Sequence, residues 1–273
     1  MNAPHVTALV VTYQTGPRLK ECLYALAAAP DIAASVIVDN GNPAAMREWL
    51  DRFVGARPDF TLLRPGENLG FGAAVNLAVK SAGTAQLLVI NPDAVIRWGS
   101  IGAMQDTAKG LREPWIVGGR IFDLQGREER GARRRELTLW RAMTRVIGWN
   151  TWTMEGDPAP SSAIEIPVIS GAFFLTSAAS FAQLGGFDEG YFLHVEDIDL
   201  CRRCREAGGT VMYDPRAGAL HYGATSDAPS KIVAGHKADS LERYFKRNAK
   251  GWFERACVAA LMPLIKLATR LRA

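Results

Sequence analysis

The sequence predicts a doubly wound α/β fold, a mostly parallel sheet flanked by helices. Near-continuous aliphatic and β-branched runs at Val6–Thr12, 35–38, 60–63 and Gln86–Ile90 have the pattern of strands buried on both faces. Between them lie segments of helical period, and this alternation is what a parallel sheet with crossover helices requires. Two of the runs end in polar turn clusters, Asp39-Asn40-Gly41-Asn42 and Asn91-Pro92-Asp93. Ligands of such sheets bind at the carboxyl ends of the strands, where these clusters fall.

Taken in order, the first strand at Val6–Thr12 leads into a helix over 17–29, with Leu19, Cys22, Leu23 and Leu26 on one side. A strand at 35–38, a helix at about 43–54, a strand at 60–63, a helix at about 71–81 and a strand at Gln86–Ile90 follow. Residues 120–160 have no clear period. They hold Arg127, Arg130, Arg133, Arg134, Arg135, Arg141 and Arg145 near Trp115, Trp140, Trp149 and Trp152, and read as a mobile, basic excursion from the sheet. A strand at 168–175, a helix at about 177–184, a Gly185-Gly186 turn and a helix at about 196–207 complete a core domain over 1–230. No internal repeat or low-complexity tract is visible.

The composition is that of an ordinary globular protein, 48% hydrophobic and 22% charged, which excludes a disordered or collagen-like chain. Four cysteines in 273 residues do not make a disulfide framework, and reduced thiols in the cytoplasm are expected. The amino-terminal residues carry no basic n-region, so no signal peptide is expected. Charge is uneven: residues 231–273 hold ten Lys/Arg against three Asp/Glu, +7, which leaves −3 over the other 230 residues. This carboxy-terminal extension mixes Trp252, Phe253, Leu261, Leu264, Ile265 and Leu267 with its bases, as a helix at a membrane interface does; a helix packed on the domain is the alternative. Its longest weakly polar run, 256–265, is about half of the ~20 residues that a membrane span needs. No nucleic-acid partner is expected.

Three motifs bear on chemistry. Gly70-Phe71-Gly72 does not make a dinucleotide fingerprint, because Val75 stands where the third glycine belongs and the turn is not the first of the fold. Asn68 with Gly70 and Gly72 either lets the backbone approach a nucleotide or forms a tight strand-to-helix entry. Cys201 and Cys204 share one face of a helix with Leu200 and Ala207, which places them in the core rather than on a metal. The sharpest signal is GFDEGYFLHVEDIDL, residues 186–200, where carboxylates interleave with Phe, Tyr and Leu, unlike a solvated charge run. Glu196 and Asp197 open a helix there, where the dipole favours ionised carboxylates, and an ionised carboxylate in a partly apolar wall suits a general base.

The blocks VVTYQTGPRLKECLYAL, VIVDNGN, ENLGFGAAVNLA, LLVINPDAVI, GGRIFDLQG, ISGAFFL, GGFDEGYFLHVEDIDLCRRCREAG and LHYGATS, in that order, resemble the family 2 glycosyltransferases of GT-A fold, in their rhamnosyltransferase-like branch. The resemblance implies a GT-A-type doubly wound sheet with a helical carboxy-terminal extension and inverting sugar transfer from a nucleotide-sugar. It implies that Asp39 contacts the base or ribose, with Thr12 and Tyr13 flanking the nucleotide and Asn68, Gly70 and Gly72 beside it. Asp93 then stands where the family's Asp-x-Asp motif holds Mg²⁺ or Mn²⁺ on the diphosphate, although Asn91 replaces the first acid. His221 resembles the histidine that completes the metal or diphosphate site. Asp197 corresponds to the general base and Glu196 to a residue orienting base or acceptor, while Arg202 and Arg203 are candidates to reach a phosphate. L-Rhamnose from a dTDP-sugar is the expected donor, with UDP-galactofuranose, UDP-GlcNAc and UDP-glucose as alternatives. The expected acceptor is a hydroxyl of a growing glycan or of a polyprenyl-diphosphate-linked saccharide, reached from the cytoplasmic side by a peripherally membrane-associated enzyme. A catalytically silent nucleotide-sugar or glycan-binding module is the reading from another class.

Overall fold

A computed structural model of the chain describes residues 6–149, 151–154, 156–223 and 229–271. The elements run Val6–Thr12 (β1), Arg18–Ala28 (α1), Ile32–Asp39 (β2), Ala44–Gly55 (α2), Phe60–Leu63 (β3), Phe71–Val79 (α3), Gln86–Ile90 (β4), Ala94–Ile96 (β5), Ser100–Ala108 (α4), Trp115–Phe122 (β6), Arg133–Arg134 (β7), Leu139–Val146 (α5), Ile164–Glu165 (β8), Val168–Ile169 (β9), Phe173–Ser177 (β10), Ala178–Gln183 (α6), Glu196–Glu206 (α7), Thr210–His221 (β11), Ser230–Asn248 (α8) and Gly251–Leu271 (α9).

The main sheet has the order β3-β2-β1-β4-β10-β6-β11-β5, with β8 beside β11. Strands β3, β2, β1 and β4 are mutually parallel, as the aliphatic runs predict, whereas β10 is antiparallel to both β4 and β6. Both faces are covered. Along β1, Leu9 and Val11 pack with α3 and α7, and Ala8 and Val10 with α1, α2 and α4. Cys201 and Cys204 are buried in the first of these cores, the place their helical spacing predicts.

The strand expected over 168–175 is interrupted. Residues 168–169 pair with β7 in a separate two-stranded sheet, 173–177 join the main sheet, and Ser170-Gly171-Ala172 lies between. The reason is local: the Gly171 amide is turned out of the ladder to donate to Asp197, at 2.8 Å.

The basic excursion is likewise pinned down. Arg133 is 2% exposed and forms a bidentate pair with Glu128, itself held by the Tyr213 hydroxyl at 2.9 Å. The β7–β9 pairing and the contact of α5 with α9 tie the rest of it to the domain.

The helical extension is latched to the core by Asp188, which accepts from Arg243 at 2.9 Å and from Arg247. Burial opposes the Asp188 charge, but these arginines outweigh it and hold the carboxyl below the usual range. Along α9, Val258, Met262 and Ile265 are buried, while Phe253, Leu264, Leu267 and Leu271 lie exposed on the opposite side. The two readings of this helix therefore each describe one of its faces.

Gly70 adopts φ 81°, ψ 176°, a conformation open essentially to glycine alone. A β-carbon there would lie 2.4 Å from the Phe192 carbonyl oxygen, and one at Gly72 would lie 2.9 Å from the Phe187 β-carbon. The demand for glycine thus comes from close packing of this turn on the 187–192 loop, which the Phe71 amide reinforces by donating to Phe192 at 3.0 Å. We predict that Gly70→Ala lowers unfolding free energy by about 2–4 kcal/mol, from backbone strain plus overpacking, measurable by urea denaturation.

Candidate active site

At the carboxyl end of β2, Asp39 is buried and fully engaged. One of its oxygens accepts from the amides of Gly41 (3.1 Å) and Asn42 (2.9 Å) and from Asn42 Nδ2 (2.8 Å), and the other from Arg64 Nε at 3.1 Å. Burial works against its charge, yet Arg64 and these N–H groups prevail and keep the carboxyl below its ordinary range. Asn42 also donates to Thr12 Oγ1 at 3.1 Å, and the Tyr13 ring lies over Gly41. Asn40 donates to the Gly70 carbonyl at 3.1 Å, and the Gly70 amide donates to Asn68 Oδ1 at 3.0 Å. Thr12, Tyr13, Asp39, Asn68 and Gly70 therefore form one connected rim, in which Asn40, Asn42 and Arg64 are additions that motif reading did not supply.

The second cluster lies at the end of β4. His221 closes β11 opposite Ala94 of β5, and this register brings its ring to the Asn91-Pro92-Asp93 turn. His221 Nε2 stands 3.1 Å from Asp93 Oδ1 and 3.2 Å from Asn91 Nδ2, while Nδ1 stands 2.9 Å from Glu129 Oε2. Burial disfavours the imidazolium, but the two carboxylates outweigh it and raise the His221 pKa to about 9. Glu129 is a site residue that the sequence conceals, one of two adjacent acids in an arginine-rich stretch without period. Among the described residues no three His, Cys, Asp or Glu side chains converge on a metal position. At neutral pH the His221 ring is thus an imidazolium paired with Asp93 and Glu129, and it would ligate a cation beside Asp93 only by giving up its Nε2 proton, with Glu129 still accepting from Nδ1. That donor pair fits a divalent cation whose remaining ligands come from phosphate oxygens.

The third cluster opens α7. The residue before it, Val195, has φ +74° and follows His194 at +66°; for a β-branched side chain this is strained backbone, held here by the surrounding packing. Asp197 accepts from the Gly171 amide and from Arg134 through one oxygen, and from the Ile198 amide at 2.8 Å through the other. Burial alone would raise its pKa, but the Arg134 guanidinium and these amides win and hold it ionised. Glu196 shows the reverse: buried beside Asp197, with Oε2 unpartnered, its carboxyl is pushed well above the usual range. The other acids of the motif are spent on structure. Asp188 holds Arg243 and Arg247, Asp199 holds Arg203 at 2.7 Å, and Glu189 accepts from Asn76 at 3.0 Å. Arg203 also donates to the carbonyls of Leu184 and Gly186, and Arg202 pairs with Glu206, so the two arginines considered for a phosphate are committed within the domain.

Residues 170–172 join these clusters. The Gly171 amide donates to Asp197, and the next carbonyl, that of Ala172, accepts from the Asn91 amide at 2.9 Å. Asp197 also lines a cavity of about 110 Å³ walled by α5, α7, α8 and α9, together with Glu196, His194, Arg134, Arg145 and Lys237. The last three residues of the LHYGATS block, 224–226, fall outside the described residues.

Comparison with known proteins accords with this geometry. Residues 7–185 match the family Glycosyl transferase family 2. The chain is 32% identical over 268 residues to the N-acetylglucosaminyl-diphospho-decaprenol L-rhamnosyltransferase of Mycobacterium tuberculosis, covering 90% of this chain and 85% of that one. It is 23% identical to the rhamnosyltransferase WbbL of Escherichia coli K12, covering 80% and 83%. Among solved structures, GalNAc-T7 with UDP, GalNAc and Mn²⁺ superposes with a TM-score of 0.69 at 14% identity, over 97% of this chain and 55% of that one, so the chain spans about half that enzyme's length. The mannosyltransferase PcManGT of Pyrobaculum calidifontis, in complex with GDP-Man and Mn²⁺, gives 0.62 at 16% identity, over 99% and 74%. A mixed, mostly parallel sheet with acids at its carboxyl edge, followed by an acid pair on a helix, is thus joined to a family match over most of the chain: this protein belongs to glycosyltransferase family 2 and is a nucleotide-sugar-dependent enzyme of GT-A fold.

Proposed function

We propose that this enzyme transfers L-rhamnose from dTDP-rhamnose, with inversion, to a hydroxyl of a polyprenyl-diphosphate-linked saccharide. The observation that supports this reading is the acid pair Glu196–Asp197, which lines a cavity and which residues 170–172 link by hydrogen bonds to the Asn91-Pro92-Asp93 turn. Such an arrangement gives a donor side and an acceptor side to one base. Sequence likeness to the mycobacterial rhamnosyltransferase supports the choice of sugar and of acceptor class.

On the donor side, the rim of Thr12, Tyr13, Asp39, Asn68 and Gly70 receives the nucleotide, with Gly72 in the packed turn behind it. Asp93, and His221 once its Nε2 proton is displaced, would hold the divalent cation, Mg²⁺ or Mn²⁺, with Glu129 fixing the imidazole tautomer. The cation supplies neutralisation of the departing diphosphate charge. On the acceptor side the hydroxyl oxygen attacks the anomeric carbon as the bond from that carbon to the diphosphate oxygen breaks. The hydroxyl proton passes to Asp197, and the nucleoside diphosphate leaves. A low pKa does not disqualify Asp197, because the hydroxyl proton becomes strongly acidic as the new C–O bond forms; what the step requires is an ionised, positioned carboxylate. Glu196, neutral at pH 7, is a hydrogen-bond donor that orients the acceptor.

Three tests follow from these assignments. Asp197→Asn lowers transfer by about 10²–10⁴-fold with little change in dTDP affinity, and Glu196→Gln has a milder effect. With Asp197 as base, kcat/KM is flat from pH 6 to 8; a rate that climbs with pH across this range moves the base to Glu196, whose carboxyl ionises late. Calorimetric titration of dTDP with Mn²⁺ and with EDTA reads the donor side: affinity falls without the cation, and Asp93→Asn removes the difference. Equal affinity in both conditions takes the cation out of the reading.

Membrane association is assigned to the outer face of α9. Among the described residues no helix is long and apolar enough to cross a bilayer. Phe253, Leu264, Leu267 and Leu271 are nonetheless exposed on a helix that also carries the exposed Arg255, its Lys266 and Arg270 being paired with Asp239 and Glu242 of α8, and α5, packed against it, is followed by exposed Ile147 and Trp149. This suits an interface with anionic lipid. Replacing Phe253, Leu264 and Leu267 together by Ser weakens sedimentation with anionic liposomes and leaves thermal stability nearly unchanged, since the buried face is untouched. Unaltered sedimentation sinks the assignment.

A further inference from the structure

We propose that the cavity beside Glu196 and Asp197 seats the diphosphate of the acceptor, with Lys237 as its principal ligand and Arg145 and Arg134 on the same wall; this rests on the reading of the acceptor as a lipid-linked saccharide.

The cavity is built unlike a sugar site. Three cationic side chains face a space of about 110 Å³, and the carboxyls that share it are Asp197 and Glu196. Asp197 is already matched by Arg134, and Glu196 is held neutral by burial and by the Asp197 charge. His194, also on the wall, is kept uncharged by burial and by Lys237. Lys237 makes no hydrogen bond or ion pair among the described residues. Burial, then the nearby Arg145, Arg134 and Arg130, lower its pKa to about 8. An unpaired ammonium under desolvation is an unfavourable arrangement, and an anion entering beside Lys237 relieves it. A saccharide hydroxyl offers no such relief; a diphosphate does, and its charge-assisted hydrogen bonds are the strong ones.

The rest of the wall fits what is attached to that diphosphate. Leu137, Val146, Trp152, Leu241 and Ile265 give an apolar lining drawn from the excursion, α8 and α9. The same α9 carries the exposed aliphatic stripe on its outer side, so the cavity lies behind the surface assigned to lipid. A diphosphate anchored there has its prenyl chain directed to that region and its sugar to Glu196 and Asp197. The donor diphosphate is assigned to Asp93 and His221, neither of which lines this cavity.

The experiment compares kcat/KM for two acceptors, N-acetylglucosaminyl short-chain prenyl diphosphate and an alkyl N-acetylglucosaminide without phosphate, in the native enzyme, Lys237→Met and Lys237→Arg. The preference for the phosphorylated acceptor falls about ten- to hundredfold in Lys237→Met, the loss expected for one charge-assisted hydrogen bond, and Lys237→Arg recovers most of it. Inorganic pyrophosphate competes with the prenyl substrate in the native enzyme and loses potency in Lys237→Met. Calorimetric dTDP affinity verifies that the variants are folded. A preference ratio unchanged in Lys237→Met overturns the inference. A native enzyme with no preference for the phosphorylated acceptor overturns the acceptor reading itself, and the two failures are told apart by which protein shows them.

Discussion

The hydrogen bond from the Gly171 amide to the Asp197 carboxylate is the constraint on which the site depends. It takes a backbone N–H out of the sheet ladder and so divides one run of apolar sequence into β9 and β10. The break has two consequences of opposite direction. Strand β9 is released to pair with β7, which presents Arg134 to the same carboxylate; strand β10 stays in the main sheet, where Ala172 holds the Asn91 amide. An orphaned amide, a buried acid and a buried guanidinium satisfy one another, and none of the three would be tolerated in this position alone.

Burial sorts the acids of the 186–200 motif into separate tasks. Asp188 and Asp199 meet arginines and become latches for α8 and for α7. Glu196 and Asp197 are adjacent in sequence, yet their environments move their protonation in opposite directions, since Asp197 bonds directly to Arg134 and two amides while for Glu196 burial and the Asp197 charge outweigh the more remote Arg134. A pair whose members stay in different protonation states at neutral pH offers an acceptor and a donor of hydrogen bonds within one turn of helix.

Periodicity made most of the sheet legible. Strands buried on both faces leave an unmistakable aliphatic pattern, and β1 to β4 with their helices fall close to where that pattern puts them. The motif residues were legible too, because carboxylates among aromatics stand out against a background of solvated charge. What the sequence did not disclose depends on pairing at long range. Residues 120–160 look like a loose basic stretch because arginine normally signals solvent. Whether Arg133 lies outside or is buried is decided by Glu128 and Tyr213, the latter 80 residues further on, and no local pattern encodes that contact. Glu129 was missed for the same reason. The break at Gly171 was hidden because a glycine in a strand pattern has many structural meanings, and only the distant Asp197 selects one. The glycines at 70 and 72 were noticed as a turn near the nucleotide, while their steric cause, the loop carrying Phe187 and Phe192, lies more than a hundred residues away.

The short chain between Glu129 and Arg134 acts as a gauge. Glu129 braces His221, and Arg134 braces Asp197, so the two ends of this segment serve two different clusters of the site. Five residues, even fully extended, span no more than about 17 Å. The distance between the backbone anchors of the two braces is capped by covalent geometry, whatever motions the rest of the molecule undergoes. To move the His221 cluster away from the Asp197 cluster, this segment must extend or one of its two braces must break.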